Sequence, residues 1–439
     1  MYLPEHILYC IEKLETAGFA AYAVGGCVRD ACLGLTPHDY DLCTSALPEQ
    51  TEAVFENHRL ILAGKKHGTV AVVLKGEVVE ITTFRTEGAY ADNRHPDWVE
   101  FVPEVEEDLA RRDFTINAMA YSPTRGYADP FGGQEDLEKG ILRAVRDPEE
   151  RFSEDSLRIL RGIRFASRFR LTIAETTEQA MQSLAPLMDN LARERVFEEL
   201  SKMLPTLTAE DVVRYAPVLG AVIPELKPLI DFDQKSPHHA YDLMTHVAHV
   251  VAQVSADVTL RWAALLHDVG KVPTFTQDET GRGHFYGHAK ESAEMADGIL
   301  LRLKAPTALR ERVVLLIDKH MTRPLADKKF LRRQLSKLGW EAFEQLLQLQ
   351  KADMSSKGTD EPGEDYGEIY RLLEEIKAEN ACLSLKDLAV NGRDLMALGM
   401  KGREVGQMLN LLLEQVLDEK LPNQQEELLR FVGNCMENR

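Results

Sequence analysis

The sequence contains no apolar run long enough to cross a membrane, and its first residues lack the basic segment that begins a secretory signal. Its 6 cysteines are scattered without a C-x-x-C pair, so neither a disulfide framework nor a zinc knuckle is indicated. With 44% hydrophobic and 28% charged residues, the composition is typical of a soluble globular protein. We therefore expect a cytoplasmic location and no membrane partner.

Positive charge is also scarce, because 52 lysines and arginines face 71 aspartates and glutamates, for a net charge of −19. Such a chain does not bind nucleic acid over its whole surface, so an RNA partner would have to meet a local basic patch. No lysine- and arginine-rich tail is present. At 439 residues the chain is too long for a single core and should divide into two to four domains.

A glycine pair, Gly25 and Gly26, precedes two aspartates, Asp39 and Asp41, with Arg29 between them. Alternate side chains of an extended strand share a face, so Asp39 and Asp41 can hold one or two Mg²⁺ ions together. Residues without a Cβ let backbone amides approach a triphosphate, and Arg29 adds a positive charge. Paired cations activate a hydroxyl and stabilise a leaving pyrophosphate, so the pattern predicts nucleotidyl transfer.

The first 125 residues or so have an α/β pattern, with a helix over 5–17 and strands over 19–24, 69–74 and 77–84. Lys75 and Gly76 should form the hairpin turn between the last two strands. Glu80 in the last strand is a candidate third carboxylate for the aspartate pair, with a solvent-facing position as the alternative. From about residue 137 onward, apolar residues recur at helical spacing. The pattern predicts an α/β head on a long helical body.

A helix rich in arginine is predicted after Ser153, which suits the N-cap position. Residues three apart share a helical face, so Arg158, Arg161 and Arg164 form a stripe with Asp155 one turn ahead. A solvated face with Asp155 and Arg158 paired is the alternative. Cytosine and adenine both present an amino donor beside an unprotonated ring nitrogen, which a carboxylate and a guanidinium would bind. Asp155 and Arg158 could therefore select C and A, with Arg161 and Arg164 holding phosphates.

Four motifs in this order resemble the class II tRNA nucleotidyltransferases, or CCA-adding enzymes, of the polymerase-β-like superfamily. They are the Gly-Gly loop, the Asp-x-Asp pair, the Arg-Arg-Asp-x-x-x-Asn segment at 111–117 and the Glu-Asp-x-x-Arg helix. The resemblance implies that Asp39 and Asp41 bind Mg²⁺, and the strand position of Glu80 makes it the candidate third catalytic carboxylate. It also implies contacts with ATP or CTP by Gly26, Arg29, Arg112, Asp155, Arg158, Arg161 and Arg164. We expect Gly25, Asp113 and Asn117 of the same motifs to bind the nucleotide as well.

The resemblance further implies a polymerase-β-like mixed sheet in the head and an all-α neck, body and tail. We expect a nucleotidyltransferase head over 1–136, a neck with the base-selecting helix over 137–205, a body with an HD domain over 206–360 and a tRNA-binding tail over 361–439. The segment 86–96 is polar and contains glycine, as a mobile loop should. In this family a loop here is associated with the switch from C to A, which favours full CCA addition or A-only addition.

A second group of residues resembles an HD-type metal site, formed by His246, His267, Asp268 and Asp353. Imidazoles and carboxylates together suit a divalent cation such as Mg²⁺, Mn²⁺, Ni²⁺ or Co²⁺. His284, His288 and His320 are further candidates for a second metal or for phosphate. HD domains attached to this family are similar to phosphohydrolases that act on 2′,3′-cyclic phosphates or 2′-nucleotides, and a retained but idle domain is the alternative.

The resemblance implies template-independent addition of C, C and A to tRNA 3′ ends from CTP and ATP, with release of pyrophosphate, in tRNA maturation and repair. An A-only enzyme or a poly(A) polymerase is the alternative within this class, although the latter should have a more basic chain. An alternative of another class is an HD phosphohydrolase with a nucleotide-sensing head. Intact Asp39, Asp41 and Arg112 argue against a degenerate head.

Overall fold

The structure is a computed structural model of the chain, and it describes residues 1–87, 99–236, 240–358 and 365–437. The chain divides into two compact units. The first contains Met1–Ile230 and Ile299–Ala305, and the second contains Asp231–Gly298 and Pro306–Arg439. The finer division into head, neck, body and tail stays a prediction.

The first unit contains a seven-stranded sheet with the order β3-β4-β5-β2-β1-β8-β9. Strand β2 pairs with β5 in parallel and the other neighbours pair antiparallel, so the predicted mixed sheet is confirmed. A separate antiparallel pair is formed by β6 and β7. The strands are β1 (Ala21–Val24), β2 (Asp41–Thr44), β3 (Arg59–Ile61), β4 (Thr69–Leu74), β5 (Glu77–Thr83), β6 (Arg85–Glu87), β7 (Val99–Phe101), β8 (Ala120–Ser122) and β9 (Gly126–Ala128).

Helices pack on this sheet because its central strands are apolar on both faces, and β1 is buried at every residue. They are α1 (Glu5–Thr16), α2 (Gly26–Cys32), α3 (Pro48–Val54) and α4 (Val105–Ala110), and a further helix, α5 (Gly133–Glu138), packs against α2. The predicted first helix and the hairpin of β4 and β5 are confirmed. Lys75 and Gly76 at the hairpin turn have φ of 52° and 94°, the left-handed values that a two-residue turn requires.

The remainder of the first unit is mainly helical, with α6 (Pro148–Glu154), α7 (Leu157–Phe169), α8 (Glu175–Leu184), α9 (Arg193–Met203) and α10 (Ala209–Val222). A short parallel pair, β10 (Ile141–Leu142) and β11 (Thr172–Ile173), lies among them.

The predicted start of the arginine helix at Ser153 is wrong. Ser153 lies inside α6, which Asp147 caps by accepting a hydrogen bond from the Glu149 amide. The chain then becomes extended at Asp155, whose side chain accepts from the Leu157 amide at 3.1 Å, and α7 begins there. Two local capping carboxylates therefore divide one apparent helix into two.

The second unit is also helical. Its helices are α11 (Leu243–Gln253), α12 (Val258–Leu266), α13 (His288–Arg302, whose last turn belongs to the first unit), α14 (Thr307–Lys319), α15 (Lys328–Leu338), α16 (Trp340–Ser355), α17 (Tyr366–Ala378), α18 (Gly392–Ala397), α19 (Arg403–Leu417) and α20 (Gln425–Glu437). One hairpin joins β12 (Thr276–Gln277) to β13 (Gly283–His284). The predicted helical body is confirmed. Among the described residues, no helix has both the length and the apolar character needed to span a membrane.

Candidate functional site

A cavity of about 800 Å³ in the first unit collects most of the residues predicted for the head site. Its lining contains eight cationic and four acidic side chains, which makes it the local basic region that an acidic chain needs to hold a polyanion. Of the predicted head residues, only Gly25 and Glu80 are outside this lining. The cavity is lined by Gly26, Arg29, Asp39, Asp41, Arg111, Arg112, Asp113, Asn117, Asp155, Arg158, Arg161, Arg164, Phe165, Arg168 and Lys202.

The two aspartates lie at the entry of strand β2. Asp41 is its first residue, and Asp39 lies just before the strand. Burial raises the pKa of Asp41, Arg112 opposes that rise and the negative charge of Asp39 adds to it. A divalent cation would relieve this repulsion, and carboxylate oxygens are the ligands that Mg²⁺ prefers. The donor set therefore fits the predicted metal.

Glu80 lies on the neighbouring strand. The parallel register pairs Leu42 of β2 with Ile81 of β5, so Asp41 and Glu80 each precede a partner of that pair. The two carboxylates therefore project from the same face of the sheet on adjacent strands. The Glu80 side chain is exposed. Its role as a third carboxylate stays a prediction.

The two glycines of the loop have different surroundings. Gly25 has φ of 76°, and a Cβ added there would lie 2.7 Å from the Arg112 Nη1 atom. Gly26 begins helix α2 and lines the cavity directly. The absence of a side chain at Gly25 thus allows Arg112 to approach, which the sequence did not indicate.

A chain of polar contacts links the glycine loop to the arginine helix. Arg29 donates from Nη1 to the Asn117 amide oxygen at 2.6 Å, and Asn117 donates to Asp113 Oδ1 at 3.0 Å. Arg161 donates from Nε to Asp113 Oδ2 at 2.8 Å. Burial would raise the pKa of Asp113, but the Arg161 charge and the Asn117 hydrogen bond outweigh it and lower the pKa to about 2. Asp113 therefore fixes the position of Arg161, and Asn117 links Asp113 to Arg29.

Asp155, predicted to read a base, is fixed from outside its own helix. Arg195 of α9 donates from Nη2 to Asp155 Oδ2 at 2.9 Å, and the Leu157 amide donates to Oδ1 at 3.1 Å. A carboxylate has about four acceptor sites, so Asp155 can still accept from a ligand. The alternative in which Asp155 pairs with Arg158 is wrong.

Arg158 instead has partners from two earlier segments. Its Nη1 donates to Glu154 Oε2 at 2.8 Å and to the Arg151 carbonyl at 3.0 Å, and its Nη2 donates to the Arg111 carbonyl at 3.1 Å. The side chain is therefore buried and fixed, although it still lines the cavity. A preorganised donor loses little entropy when it binds a base.

The predicted arginine stripe is present, and it is longer than expected. Arg168 continues it one turn beyond Arg164, at a spacing of four residues that the same periodicity could have revealed. Phe165 contacts the stripe through cation–π geometry, with the Arg164 guanidinium 4.2 Å from the ring centre. Lys202 comes from α9, and no local pattern around it indicated a role in the cavity. The predicted loop over 86–96 lies outside the described residues from position 88 onward.

A buried cluster in the second unit joins the four residues predicted for the HD site. His246 lies on α11, His267 and Asp268 follow α12, and Asp353 lies on α16. One candidate ligand atom from each lies within 4.8 Å of all the others. The Nε2 atom of His246 is 3.1 Å from Asp353 Oδ1 and 3.3 Å from Asp268 Oδ2.

The histidines of this cluster are oriented as metal ligands. The Nδ1 atom of His246 lies 3.2 Å from the Ser356 carbonyl oxygen, and that of His267 lies 2.8 Å from the Ala264 carbonyl oxygen. A carbonyl only accepts, so Nδ1 carries the proton and Nε2 keeps its lone pair for a metal. The His267 Nε2 atom is buried and has no hydrogen-bond partner among the described residues.

The electrostatics of the cluster also favour a cation. Burial lowers the pKa of His246, but the carboxylates of Asp268 and Asp353 that face its Nε2 atom outweigh it and raise the pKa to about 9. The same negative charge that favours a proton on Nε2 would favour a divalent cation in its place. Of the further histidines, His288 and His320 approach Asp268, whereas His284 pairs with Asp278 at 2.8 Å on the hairpin.

Family models of known proteins match segments in both the N-terminal and the C-terminal part of the chain. The family model described as the poly A polymerase head domain matches residues 21–143. The models for an RNA- and SrmB-binding site of polymerase A and for tRNA nucleotidyltransferase domain 2 match residues 170–228 and 275–432. The CCA-adding enzyme of Lactiplantibacillus plantarum is 33% identical over 432 residues, covering 96% of this chain and 94% of that protein. The chain belongs to the CCA-adding enzyme family.

Other CCA-adding enzymes match over similar lengths. That of Streptococcus thermophilus is 32% identical over 442 residues, covering 98% of both chains. The crystal structure of the Bacillus stearothermophilus CCA-adding enzyme in complex with CTP is 29% identical, covers 100% of both chains and superposes with a TM-score of 0.73. The family and the fold inferred from the sequence motifs are therefore confirmed. Nucleotidyltransferases of this kind use a divalent metal, and both units offer groups that fit one.

Proposed function

We propose that this CCA-adding enzyme extends tRNA 3′ ends by C, C and A, taking the nucleotides from CTP and ATP and releasing pyrophosphate. The observation that carries the proposal is the cavity that joins Asp39 and Asp41 to Asp155 and Arg158. A pair of carboxylates that binds metal is compatible with nucleotidyl transfer to many different acceptors. The base-reading pair beside it restricts the incoming nucleotide.

Asp39 and Asp41 are the proposed Mg²⁺ ligands, and Glu80 is a proposed third carboxylate because it shares a sheet face with Asp41. When bound, Mg²⁺ lowers the pKa of the attacking 3′-hydroxyl and stabilises charge on the pyrophosphate oxygens. Around these carboxylates, Arg29 and Arg112 place fixed positive charge on the side of the glycine loop.

Base choice is assigned to Asp155 and Arg158. The carboxylate accepts a hydrogen bond from the exocyclic amino group of C or A, and the guanidinium donates a hydrogen bond to the unprotonated ring nitrogen. Uracil and guanine present an N–H and a carbonyl at these positions, which would leave both protein groups unpaired with the wrong base. The neighbouring charges suit the triphosphate, and they come from Arg161, Arg164, Arg168 and Lys202.

We further propose that tRNA lies along the helical part of the chain, divided into a neck over 137–205, a body over 206–360 and a tail over 361–439. The match of residues 170–228 to an RNA-binding model supports this. A protein with a net charge of −19 must bind RNA through local cationic surfaces, and the head cavity is one such surface.

The test supplies purified protein, Mg²⁺ and labelled CTP or ATP to tRNA transcripts that end at the discriminator base, after C or after CC. We expect C on the first two transcripts and A on the third. Failure of every transcript to gain C would contradict full CCA addition, with A alone on the third indicating an A-only enzyme. Long A tracts would indicate a poly(A) polymerase.

Three variants test the proposed carboxylates in the same assay. Asp41→Asn should abolish incorporation of both nucleotides, because one carboxylate no longer holds the cation. Glu80→Gln should lower the rate and raise the Mg²⁺ concentration required. Glu77→Gln, exposed at the start of the same strand, is the matched control and should behave as the wild type. Equal rates for both glutamate variants would remove Glu80 from the site.

A second proposed cofactor is a divalent cation in the second unit, held by His246, His267, Asp268 and Asp353. The buried Nε2 atom of His267, which has no hydrogen-bond partner among the described residues, supports the assignment. Imidazole nitrogens with carboxylate oxygens suit Mn²⁺, Ni²⁺ or Co²⁺ as well as Mg²⁺. Equilibrium dialysis of the full chain against each ion, with His246→Gln as the comparison, tests the site.

A further inference from the structure

A second and smaller cavity of the first unit adjoins the head cavity. Its volume is about 210 Å³, against about 800 Å³ for the head cavity. Arg111 and Arg158 line both, so the two cavities are neighbours. The rest of the smaller cavity is lined by Thr86, Glu107, Ala110, Arg146, Arg151 and Glu154.

The lining of the smaller cavity has an excess of positive charge. It contains four arginines and two glutamates, which leaves two positive charges in excess. Glu154 is already engaged on both oxygens, because Oε1 accepts from Arg151 Nη2 and Oε2 accepts from Arg158 Nη1 at 2.8 Å. One carboxylate thus faces two guanidinium groups. The cavity therefore favours an anion over a cation.

Arg151 has a buried donor that is left unpaired. The residue is only 9% exposed, and its Nη1 donates to the Ala110 carbonyl at 3.2 Å. Its Nε atom is buried and has no hydrogen-bond partner within the described ranges of the chain. Buried polar atoms are rarely left in this state unless an ion or a water satisfies them. Arg151 lines the smaller cavity, so a ligand there can supply the acceptor.

The arginines around the smaller cavity repel one another. Burial lowers the pKa of Arg151, and the charge of Glu154 opposes this effect. The positive charges of Arg158 and Arg146 lower the pKa further. A negative charge placed among these three guanidinium groups would relieve the repulsion.

Arg146 is the exposed member of the group. Its guanidinium lies 5.8 Å from the centre of the Phe131 ring. Contact with an aromatic face orients a guanidinium but leaves its N–H groups available, because they lie in the guanidinium plane. Arg146 can therefore donate to a ligand in the smaller cavity.

We propose that the smaller cavity binds one phosphate group. Guanidinium groups bind phosphate oxygens through two parallel N–H donors, which makes arginine the preferred residue for this ligand. The volume of the cavity is below the roughly 300–1,000 Å³ of sites that hold drug-sized ligands, so a phosphate group fits and a whole nucleotide does not. The phosphate is either a free inorganic ion or a phosphodiester of the tRNA whose bases lie outside the cavity.

A phosphodiester at this position would have a defined use. Contacts with phosphate fix the register of a nucleic acid on a protein. Arg158 lines both cavities, so the RNA backbone would be held beside the residue proposed to read the incoming base. This source of the phosphate rests on the proposed function, whereas the anion site itself does not.

The first test maps the modification of arginines by phenylglyoxal in the wild-type full chain, with and without inorganic phosphate. Peptide mass spectrometry reports each arginine separately, so phosphate bound in other cavities does not interfere. We expect saturating phosphate to slow the modification of Arg146 at least about tenfold. Arg143, which is exposed and lies 3.2 Å from Asp136, is the control within the same chain and should keep its rate. Equal rates at Arg146 with and without phosphate would overturn the site.

The second test counts labelled phosphate bound to the full chain by equilibrium dialysis. Arg146→Gln should bind one phosphate fewer than the wild type, and Arg143→Gln should bind the same number. Because Arg146 is exposed, its replacement removes a donor without opening the core, and circular dichroism verifies that the helices are intact. The same count in Arg146→Gln and the wild type would overturn the site.

The salt dependence of tRNA affinity distinguishes the two sources of phosphate. If a phosphodiester enters the cavity, Arg146→Gln removes one phosphate contact, and the slope of log affinity against log salt should become shallower by about 0.7–0.9. Arg143→Gln should keep the wild-type slope. A wild-type slope in Arg146→Gln, together with protection of Arg146 by phosphate, assigns the site to the free ion.

CCA addition by the wild type is measured in parallel. A wild-type chain that adds no nucleotide would contradict the proposed function, but it would leave the protection of Arg146 by phosphate in place. Addition of C and A without that protection would overturn the anion site alone.

Discussion

Arg195 donates a hydrogen bond of 2.9 Å to Asp155 from a position 40 residues further along the chain. Asp155 is the proposed acceptor for the amino group of the incoming base, and it lies in a non-helical break between α6 and α7. Nothing in the local backbone other than the Leu157 amide would orient this carboxylate. We therefore propose Arg195 as a positioning residue for base choice.

Replacing Arg195 with alanine should weaken base choice more than it slows transfer. A hydrogen bond between charged groups contributes about 1.5–3 kcal/mol, so we expect at least about a tenfold loss in the preference for CTP and ATP over UTP. Single-nucleotide incorporation with each triphosphate measures the ratio. Arg193→Ala is the matched control, because Arg193 lies on the same helix and pairs with Asp189 at the surface. Unchanged selectivity in Arg195→Ala would contradict the role.

Asp113 should make the fold sensitive to acid. Its pKa is about 2 in the folded protein against an ordinary 3.8, so the carboxylate stabilises the fold above about pH 4 and loses this contribution as the pH falls towards 2. The shift corresponds to about 2 kcal/mol. The free energy of unfolding, measured with urea at pH 6, 4 and 3, should be higher for the wild type than for Asp113→Asn. This difference should become smaller as the pH falls. If the difference in the free energy of unfolding is the same at every pH, the contact with Arg161 does not depend on the charge of Asp113.

Alanine at Gly25 should displace Arg112. Both Gly25 and Gly18 have positive φ, at 76° and 92°, so alanine at either should strain the backbone and cost about 1–3 kcal/mol of stability. Only at Gly25 would the new Cβ meet another group, the Arg112 guanidinium at 2.7 Å, whereas nothing lies within 4 Å at Gly18. We expect Gly25→Ala to lower kcat/KM at least about tenfold and Gly18→Ala to leave it unchanged. Equal kinetics for the two variants would show that Arg112 tolerates the shift.

The second unit offers a similar pair of glycines. A Cβ at Gly270 would lie 2.5 Å from the Ser292 backbone nitrogen and 2.8 Å from the His288 carbonyl oxygen, neither of which can rotate away. We expect Gly270→Ala to destabilise the protein by about 1–3 kcal/mol and to disturb the histidine cluster. Gly298→Ala, in the open interior of α13, should instead stabilise by about 0.5–1 kcal/mol. Thermal unfolding of both variants measures the difference in sign.

The features of the site that depend on residues close together in the sequence could be predicted from the sequence. The strand before Gly25, the aspartate pair and the arginine stripe each depend on residues within about one turn or one strand of one another, where periodicity is informative. The partners of Asp155 and Arg158 could not be predicted, because they come from α9 and from the segment of Arg111. No local spacing links such segments.

The histidines of the second unit show the same limit. His284 and His288 lie four residues apart and were equal candidates for a metal. The hairpin turns His284 towards Asp278, whereas helix α13 brings His288 to Asp268. Whether a histidine is a candidate metal ligand or a surface residue thus depends on tertiary packing.

The polar chain from Arg29 through Asn117 and Asp113 to Arg161 also determines when the active site becomes complete during synthesis. A nascent chain that has not yet reached α7 already contains Asp39, Asp41 and Gly26 but lacks the arginine that holds Asp113. The contacts of Arg29 with Asn117 and of Arg161 with Asp113 join residues 88 and 48 positions apart, so each requires the closure of a long loop. A chain that ends before α7 would therefore contain the aspartate pair but only three of the eight cationic side chains that line the cavity, so we expect it to bind a triphosphate more weakly than the complete chain.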